Sequence, residues 1–253
     1  MNEIILNFFI FISGTIFGSF VNVLIDRIPR RKDIIFKRSH CDYCKTTLGA
    51  LDLIPVFSYL FLKGRCRYCR KKISMQNPLV EIATGAFFVF IFKINFPFIP
   101  IIFFQFLISG ILIAIFVIDL KSSIIPDSLV VALMVLTFIY KLIFQQNLII
   151  TDFAAGVVFA SFFIMLIFLT RGKGMGMGDA KFALFMGFYL GFLKLLVAFY
   201  ISFLTGAVIS LILILLGLKK FKSAIPFGPF LITGTVIAEY FSEQIYLMIQ
   251  KIF

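Results

Sequence analysis

Asp119 and Asp179 are the residues whose type and setting most invite chemistry. Asp119 closes an apolar run at Phe116-Val117-Ile118-Asp119, and Asp179 opens another after Gly174-Met175-Gly176-Met177-Gly178. An ionisable group at membrane depth costs about 2.5–3.5 kcal/mol on insertion scales and marks a functional site by default. Two carboxylates that share a site cannot both ionise easily, so one keeps a proton near neutral pH. One can then act as general base toward water, the other as general acid toward a carbonyl and its leaving nitrogen. That is the chemistry of amide hydrolysis. The sole histidine, His40, falls in a distant polar stretch, which argues against a serine–histidine mechanism.

The residues around the pair have their own readings. Gly172, Gly174, Gly176 and Gly178 give the stretch before Asp179 little intrinsic order, so an extended substrate backbone could approach Gly176 and Gly178 closely. The competing reading is an interhelix loop with Asp179 as a helix cap. A phosphate-binding loop does not fit, because no strand precedes the glycines and no Gly-Lys-Ser/Thr ends them. Asp127, after Pro126, reads as a helix cap. Glu81 lies about one turn into a span and either pairs with a loop arginine or faces a polar pocket. Glu239 sits deep in the last apolar run.

All four cysteines fall in one loop, as Cys41-Asp42-Tyr43-Cys44 and Cys66-Arg67-Tyr68-Cys69. Paired CxxC knuckles at this spacing indicate one tetrahedral structural zinc. Four thiolates leave no open position for a catalytic water, and disulfides are disfavoured in a reducing cytoplasm.

The elements that carry these residues are apolar. Of the 253 residues 61% are hydrophobic, and the mean hydropathy is +1.08. Soluble domains are about 45–50% apolar, so lipid is the natural solvent. Apolar runs near 4–25, 79–96, 98–118, 128–145, 152–170, 182–193, 195–217 and 226–249 predict an all-α polytopic membrane protein of about eight transmembrane helices. The break at Lys194 is a tight hairpin or a misplaced division. Gly156 and Gly206-Ala207 are expected helix contacts, and no internal repeat stands out. The predicted organisation is a first helix (1–25), a cytoplasmic four-cysteine loop (26–78) and a transmembrane catalytic core (79–253).

Twenty of the 24 Lys and Arg residues fall on one face if that loop is cytoplasmic. Both termini are then extracytoplasmic, and Asp119, Asp127 and Asp179 share the cytoplasmic face. The net charge of +12 is accounted for in this way, so no nucleic-acid partner is expected.

The ordered motifs resemble the type IV prepilin peptidases, the leader peptidase and N-methyltransferase family of GxGD aspartic proteases. They are Gly18-Ser19-Phe20-Val21-Asn22-Val23 with Arg27-Ile28-Pro29, the two cysteine pairs, and Asp52-Leu53-Ile54-Pro55-Val56-Phe57-Ser58-Tyr59-Leu60 between them. Pro78-Leu79-Val80-Glu81, Asp119 with Ile125-Pro126-Asp127, Gly176-Met177-Gly178-Asp179 and Ile225-Pro226-Phe227-Gly228-Pro229 follow. The resemblance implies a bacterial inner-membrane enzyme that removes the basic leader of prepilins and pseudopilins. It implies that Asp119 and Asp179 are the catalytic pair, and that S-adenosylmethionine serves a subsequent N-methylation. Its cofactor site is not legible in the sequence. Competing readings are a transporter using intramembrane acids, a presenilin-like protease, and a non-catalytic assembly protein of a pilus or secretion machine.

Overall fold

In lipid every backbone polar group must find its partner within the segment, which favours helices. A computed structural model of the chain describes residues 2–34, 38–172, 175–218 and 225–252. Lys37, Lys173, Gly174, Lys219, Lys220 and Lys222, used in the charge and glycine arguments above, lie outside the described residues. The elements are α1 (Asn2–Arg27), a 3-10 turn (Ala50–Asp52), α2 (Phe57–Phe61), α3 (Gln76–Asn95) and α4 (Ile99–Ser122). They continue with α5 (Asp127–Phe144), a second 3-10 turn (Gln146–Leu148), α6 (Ile149–Leu169), α7 (Met177–Leu215) and α8 (Gly228–Ile252). No named strand occurs among the described residues. Among the described residues six helices (α1, α3, α4, α5, α6 and α7) are long and apolar enough to cross a membrane.

The chain divides into two compact units, Met1–Ala114 and Ile115–Phe253, with the boundary inside α4. In the first unit α1 and α3 pack together closely. A side chain at Gly14 would come 2.7 Å from the Gly85 Cα, and one at Gly18 would come 2.8 Å from the Glu81 Cα. These two glycines, spaced by four, let the backbones approach, which is how helices associate in lipid. A polar clasp accompanies the contact. Asn22 donates to the Asn77 carbonyl (3.0 Å) and accepts from the Gln76 amide (3.1 Å).

In the second unit α7 holds a surprise. Its 39 residues are interrupted at Gly191, whose φ of 72° and ψ of 171° are a conformation open almost solely to glycine. The packing shows that the chain reverses there. Before the break, Phe188 meets Phe153 of α6 (5.7 Å between ring centres) and Gly187 abuts Gly156, so this half runs antiparallel to α6. After the break, Phe199 meets Phe159 (5.3 Å) and Phe203 meets Phe163 (6.4 Å), so the second half runs parallel to α6. The runs predicted at 182–193 and 195–217 are therefore two arms of one hairpin. The turn falls at Gly191, three residues before Lys194. α8 returns antiparallel to the second arm: Phe227 and Phe230 border Gly206, and Gly234 fits against Ala198 and Ser202. The expected small-residue contacts at Gly156 and Gly206 are present.

A layer of charge surrounds the reversal. Lys141 near the end of α5 is 1% exposed and bonds Asp152 of α6 at 2.6 Å and Gln145 at 3.1 Å. A side chain on Gly191 would strike the Asp152 carboxylate at 2.8 Å. Lys194 just beyond the turn pairs with Glu239 of α8 at 3.1 Å. Neither pair was foreseen from the sequence. The signal was present, since Lys141 and Asp152 are opposite charges near the abutting ends of consecutive apolar runs.

Candidate active site and cysteine cluster

The opposite end of the second unit carries the two predicted aspartates. Asp179 sits in the first turn of α7. Gly176 is the extended residue before the helix, and its N–H donates to the Asp179 carboxylate at 3.0 Å. Asp179 thus reaches back to the helix start from the third helical position, a partner for an otherwise unpaired donor. Asp119 lies in the last turn of α4 and is 3% exposed, and Asp179 is 9% exposed. The two carboxyls are near enough for their charges to act on each other.

Ile125 ties the two positions together. A side chain at Gly178 would run into the Ile125 Cβ at 3.0 Å, and one at Gly228 would reach the Ile125 Cδ1 at 3.2 Å. Gly228 in turn borders Asp119, so one isoleucine lies between the start of α7, which bears Asp179, and the start of α8, which borders Asp119. The Oδ2 of Asp119 is buried and accepts no hydrogen bond among the described residues. A buried carboxylate oxygen left without a donor is costly unless something else, such as water or substrate, supplies one.

Three neighbouring expectations need adjustment. Gly178 lies inside the first turn of α7 with its bare face against Ile125, so the extended backbone expected there extends only to Gly176. Asp127 does not cap α5. Pro126 occupies the cap position, and the Asp127 carboxylate instead bonds Lys181 at 2.7 Å. That ion pair joins the start of α5 to the start of α7. Glu81 meets no arginine among the described contacts. It accepts the Val56 N–H at 2.7 Å in the first unit. Val56 has a φ of 62° and ψ of −52°, and Phe57 N–H closes onto the Pro55 carbonyl at 2.6 Å. This is a tight γ-turn, a conformation that a β-branched residue adopts only when its surroundings fix it.

The four cysteines converge. Their sulfur atoms all lie within 4.8 Å of one another, and Cys41 and Cys69 Sγ are 3.8 Å apart. Tetrahedral zinc with bonds of about 2.3 Å needs sulfurs about 3.8 Å apart, so the donor set fits the ion. The two knuckles are one structure used twice. Lys45 and Arg70, each following a second cysteine, have φ of 60° and 59°. Each knuckle also closes with a bridge across its mouth, His40 to Thr47 and Arg65 to Lys72. Cys41-Asp42-Tyr43-Cys44-Lys45 and Cys66-Arg67-Tyr68-Cys69-Arg70 thus form a short internal repeat where none was expected.

Local hydrogen bonds divide the protons unequally before any metal binds. The Thr46 side chain and backbone lower the Cys44 thiol to about 6. The Cys69 backbone N–H lowers Cys66 as well. Asp52 fastens the intervening loop. It accepts from Arg67 at 2.6 Å, Gly49 N–H at 3.1 Å and Tyr68 at 3.2 Å. Enclosure alone would push its carboxyl up, but these donors outweigh it and hold the group below the ordinary carboxylate range. The purified protein should carry about one zinc per chain, and Cys44→Ser or Cys66→Ser should lower the retained metal at least tenfold. Elemental analysis after dialysis measures this. Zinc retained undiminished in both variants would remove the thiolates from the site.

Comparison with known proteins finds relatives along most of the chain. Residues 12–94 match the "Bacterial Peptidase A24 N-terminal domain", and residues 106–211 match the "Type IV leader peptidase family". A prepilin leader peptidase/N-methyltransferase of Bacillus subtilis is 31% identical over 243 residues, covering 93% of this chain and 94% of that protein. The Legionella pneumophila protein of the same description is 33% identical over 258 residues, covering 90% and 88%. One from Burkholderia pseudomallei is 28% identical, covering 95% and 87%. No solved structure matches the chain. The chain is a membrane-embedded peptidase by class. It belongs to the type IV prepilin leader peptidase/N-methyltransferase family.

Proposed function

We propose that this protein cleaves the basic leader from type IV prepilins and pseudopilins by aspartic catalysis through Asp119 and Asp179. The carrying observation is the convergence of two buried carboxyls, sixty positions apart, beside Ile125. With one proton between them, the ionised member draws a proton from water as its oxygen attacks the scissile carbonyl carbon. The other protonates the carbonyl oxygen. As the tetrahedral intermediate collapses, the C–N bond breaks and a proton passes to the leaving nitrogen. Which carboxyl begins protonated is a property of the pair.

The charge asymmetry supports a site at the cytoplasmic face, with the cysteine loop on the same side and both termini outside. The Gly191 reversal supports counting α7 twice. With α8 that makes eight crossings. Gly176 is the extended backbone nearest the acids and the best candidate for pairing with a substrate strand. The thiolate set would hold structural zinc, which binds the two knuckles into one folded loop.

Relatives described as N-methyltransferases favour a second step in which S-adenosylmethionine supplies the methyl group. The described residues hold no strand followed by a glycine-rich turn, so no side chain is assigned to that donor.

The test is co-expression with a prepilin and mass measurement of its new N-terminus. A product beginning at the junction of leader and apolar helix is expected. It should be heavier by one methyl group if the transferase step operates. Full-length substrate in the presence of folded protein would overturn the reading.

A further inference from the structure

We infer that Gly228, the first residue of α8, is the positioning residue for Asp119, and that α8 thereby completes the catalytic site from its N-terminus. The inference rests on the reading of Asp119 as a catalytic acid. It adds the start of α8 to the two elements that bear the acids, the end of α4 and the start of α7.

Three observations meet at this position. The Gly228 backbone N–H is directed at the Asp119 carboxyl. A Cβ built on Gly228 would lie 2.5 Å from Asp119 Oδ2 and 3.0 Å from its Cγ, contacts that real side chains do not make. Asp119 itself is 3% exposed, and its Oδ2 has no hydrogen-bond partner among the described residues. A helix N-terminus presents free N–H groups and the positive end of the backbone dipole. Here that end faces a buried carboxyl that no Lys or Arg is shown to pair. One N–H fixes the carboxyl, and the bare α-carbon lets the backbone come close. The unpartnered oxygen is left to accept from the attacking water.

The arrangement mirrors that of Asp179. Each acid lies against a glycine at a helix start: the Gly176 N–H donates to Asp179 at 3.0 Å, and the Gly228 backbone abuts Asp119. No φ constraint is involved at Gly228, so the requirement for glycine there is one of space. Phe227 and Phe230 hold the start of α8 against Gly206 of α7, so the helix cannot easily retreat to admit a side chain.

The test compares Gly228→Ala, Asp119→Asn, Asp119→Ala and the double variant Gly228→Ala/Asp119→Ala, each as the full-length protein in detergent. Gly228→Ala should lower kcat for prepilin cleavage on the order of 100-fold, as a displacement of about 1 Å does at a catalytic group. KM should stay within about twofold, because substrate contacts are left in place. Gly228→Ala should also lower the unfolding temperature, and this penalty should vanish in the Asp119→Ala background, where the struck carboxyl is gone. If Gly228→Ala fails to accumulate, the double variant should restore it.

Near-normal kcat in Gly228→Ala with Asp119→Asn inactive would overturn the positioning role alone. So would a rise in KM with kcat kept, or an undiminished penalty in the double variant. Activity in Asp119→Asn would instead overturn the catalytic reading on which the inference stands.

Discussion

Asp119→Asn and Asp179→Asn should each abolish prepilin cleavage while leaving the protein folded in the membrane. The asparagine is close in size to the acid, so packing at these buried sites is kept. What is lost is the exchangeable proton of one partner and the ability of either oxygen to act as base. General acid–base groups contribute about 10²–10⁴-fold each, and residues acting as one unit do not lose rate additively. Either single change should therefore fall near the limit of detection, and the double variant should be scarcely worse. Gel-shift or mass assay of leader removal, beside an unfolding curve for each variant, measures this. Wild-type turnover in one variant would remove that aspartate from the mechanism.

Asp152→Leu should destabilise the protein on the order of 3–5 kcal/mol, the usual consequence of leaving one member of a buried ion pair alone. Lys141 is 1% exposed and bonds Asp152 at 2.6 Å, with its ammonium also 5.9 Å from the Phe188 ring centre. Without Asp152 the Gln145 amide oxygen and that ring would be left against the charge, with the Glu239 carboxyl acting on it from further off. Lys141→Met combined with Asp152→Leu should recover most of the loss, because an apolar pair of similar volume avoids burying charge at all. Thermal unfolding in detergent reads both. A single variant as stable as the parent would show that the pair contributes nothing to holding the reversal at Gly191.

The chemistry-bearing residues were the legible part of the sequence. Carboxylates bordering apolar runs and cysteines in doubled CxxC spacing advertise themselves, because each is costly or reactive where it stands. Helical class was equally plain, since lipid allows few alternatives. What escaped was tertiary. Gly191 looks like any other glycine in an apolar run, and a division by hydropathy put the break at the charged Lys194 instead. Lys194 marks the Glu239 pairing and not the turn. Asp127 beside Pro126 has the local signature of a cap, yet a lysine 54 positions away claims its carboxylate. Gly228 stood within a recognised motif, but its task depends on Asp119, more than a hundred positions earlier. Such requirements are set by spatial neighbours, which local composition does not encode.

The reversal at Gly191 also limits how thick the surrounding bilayer can be. Twelve helical residues separate Asp179 from Gly191, a rise of about 18 Å, whereas hydrocarbon chains span about 30 Å. The acid layer and the Lys141–Asp152 layer are thus closer together than two membrane surfaces. Lipid beside this helix pair must thin, because an apolar stretch shorter than the hydrocarbon layer is met by drawing the two surfaces together. A prepilin resting at that dip would present the junction of its leader and its apolar helix at catalytic depth without being pulled outward.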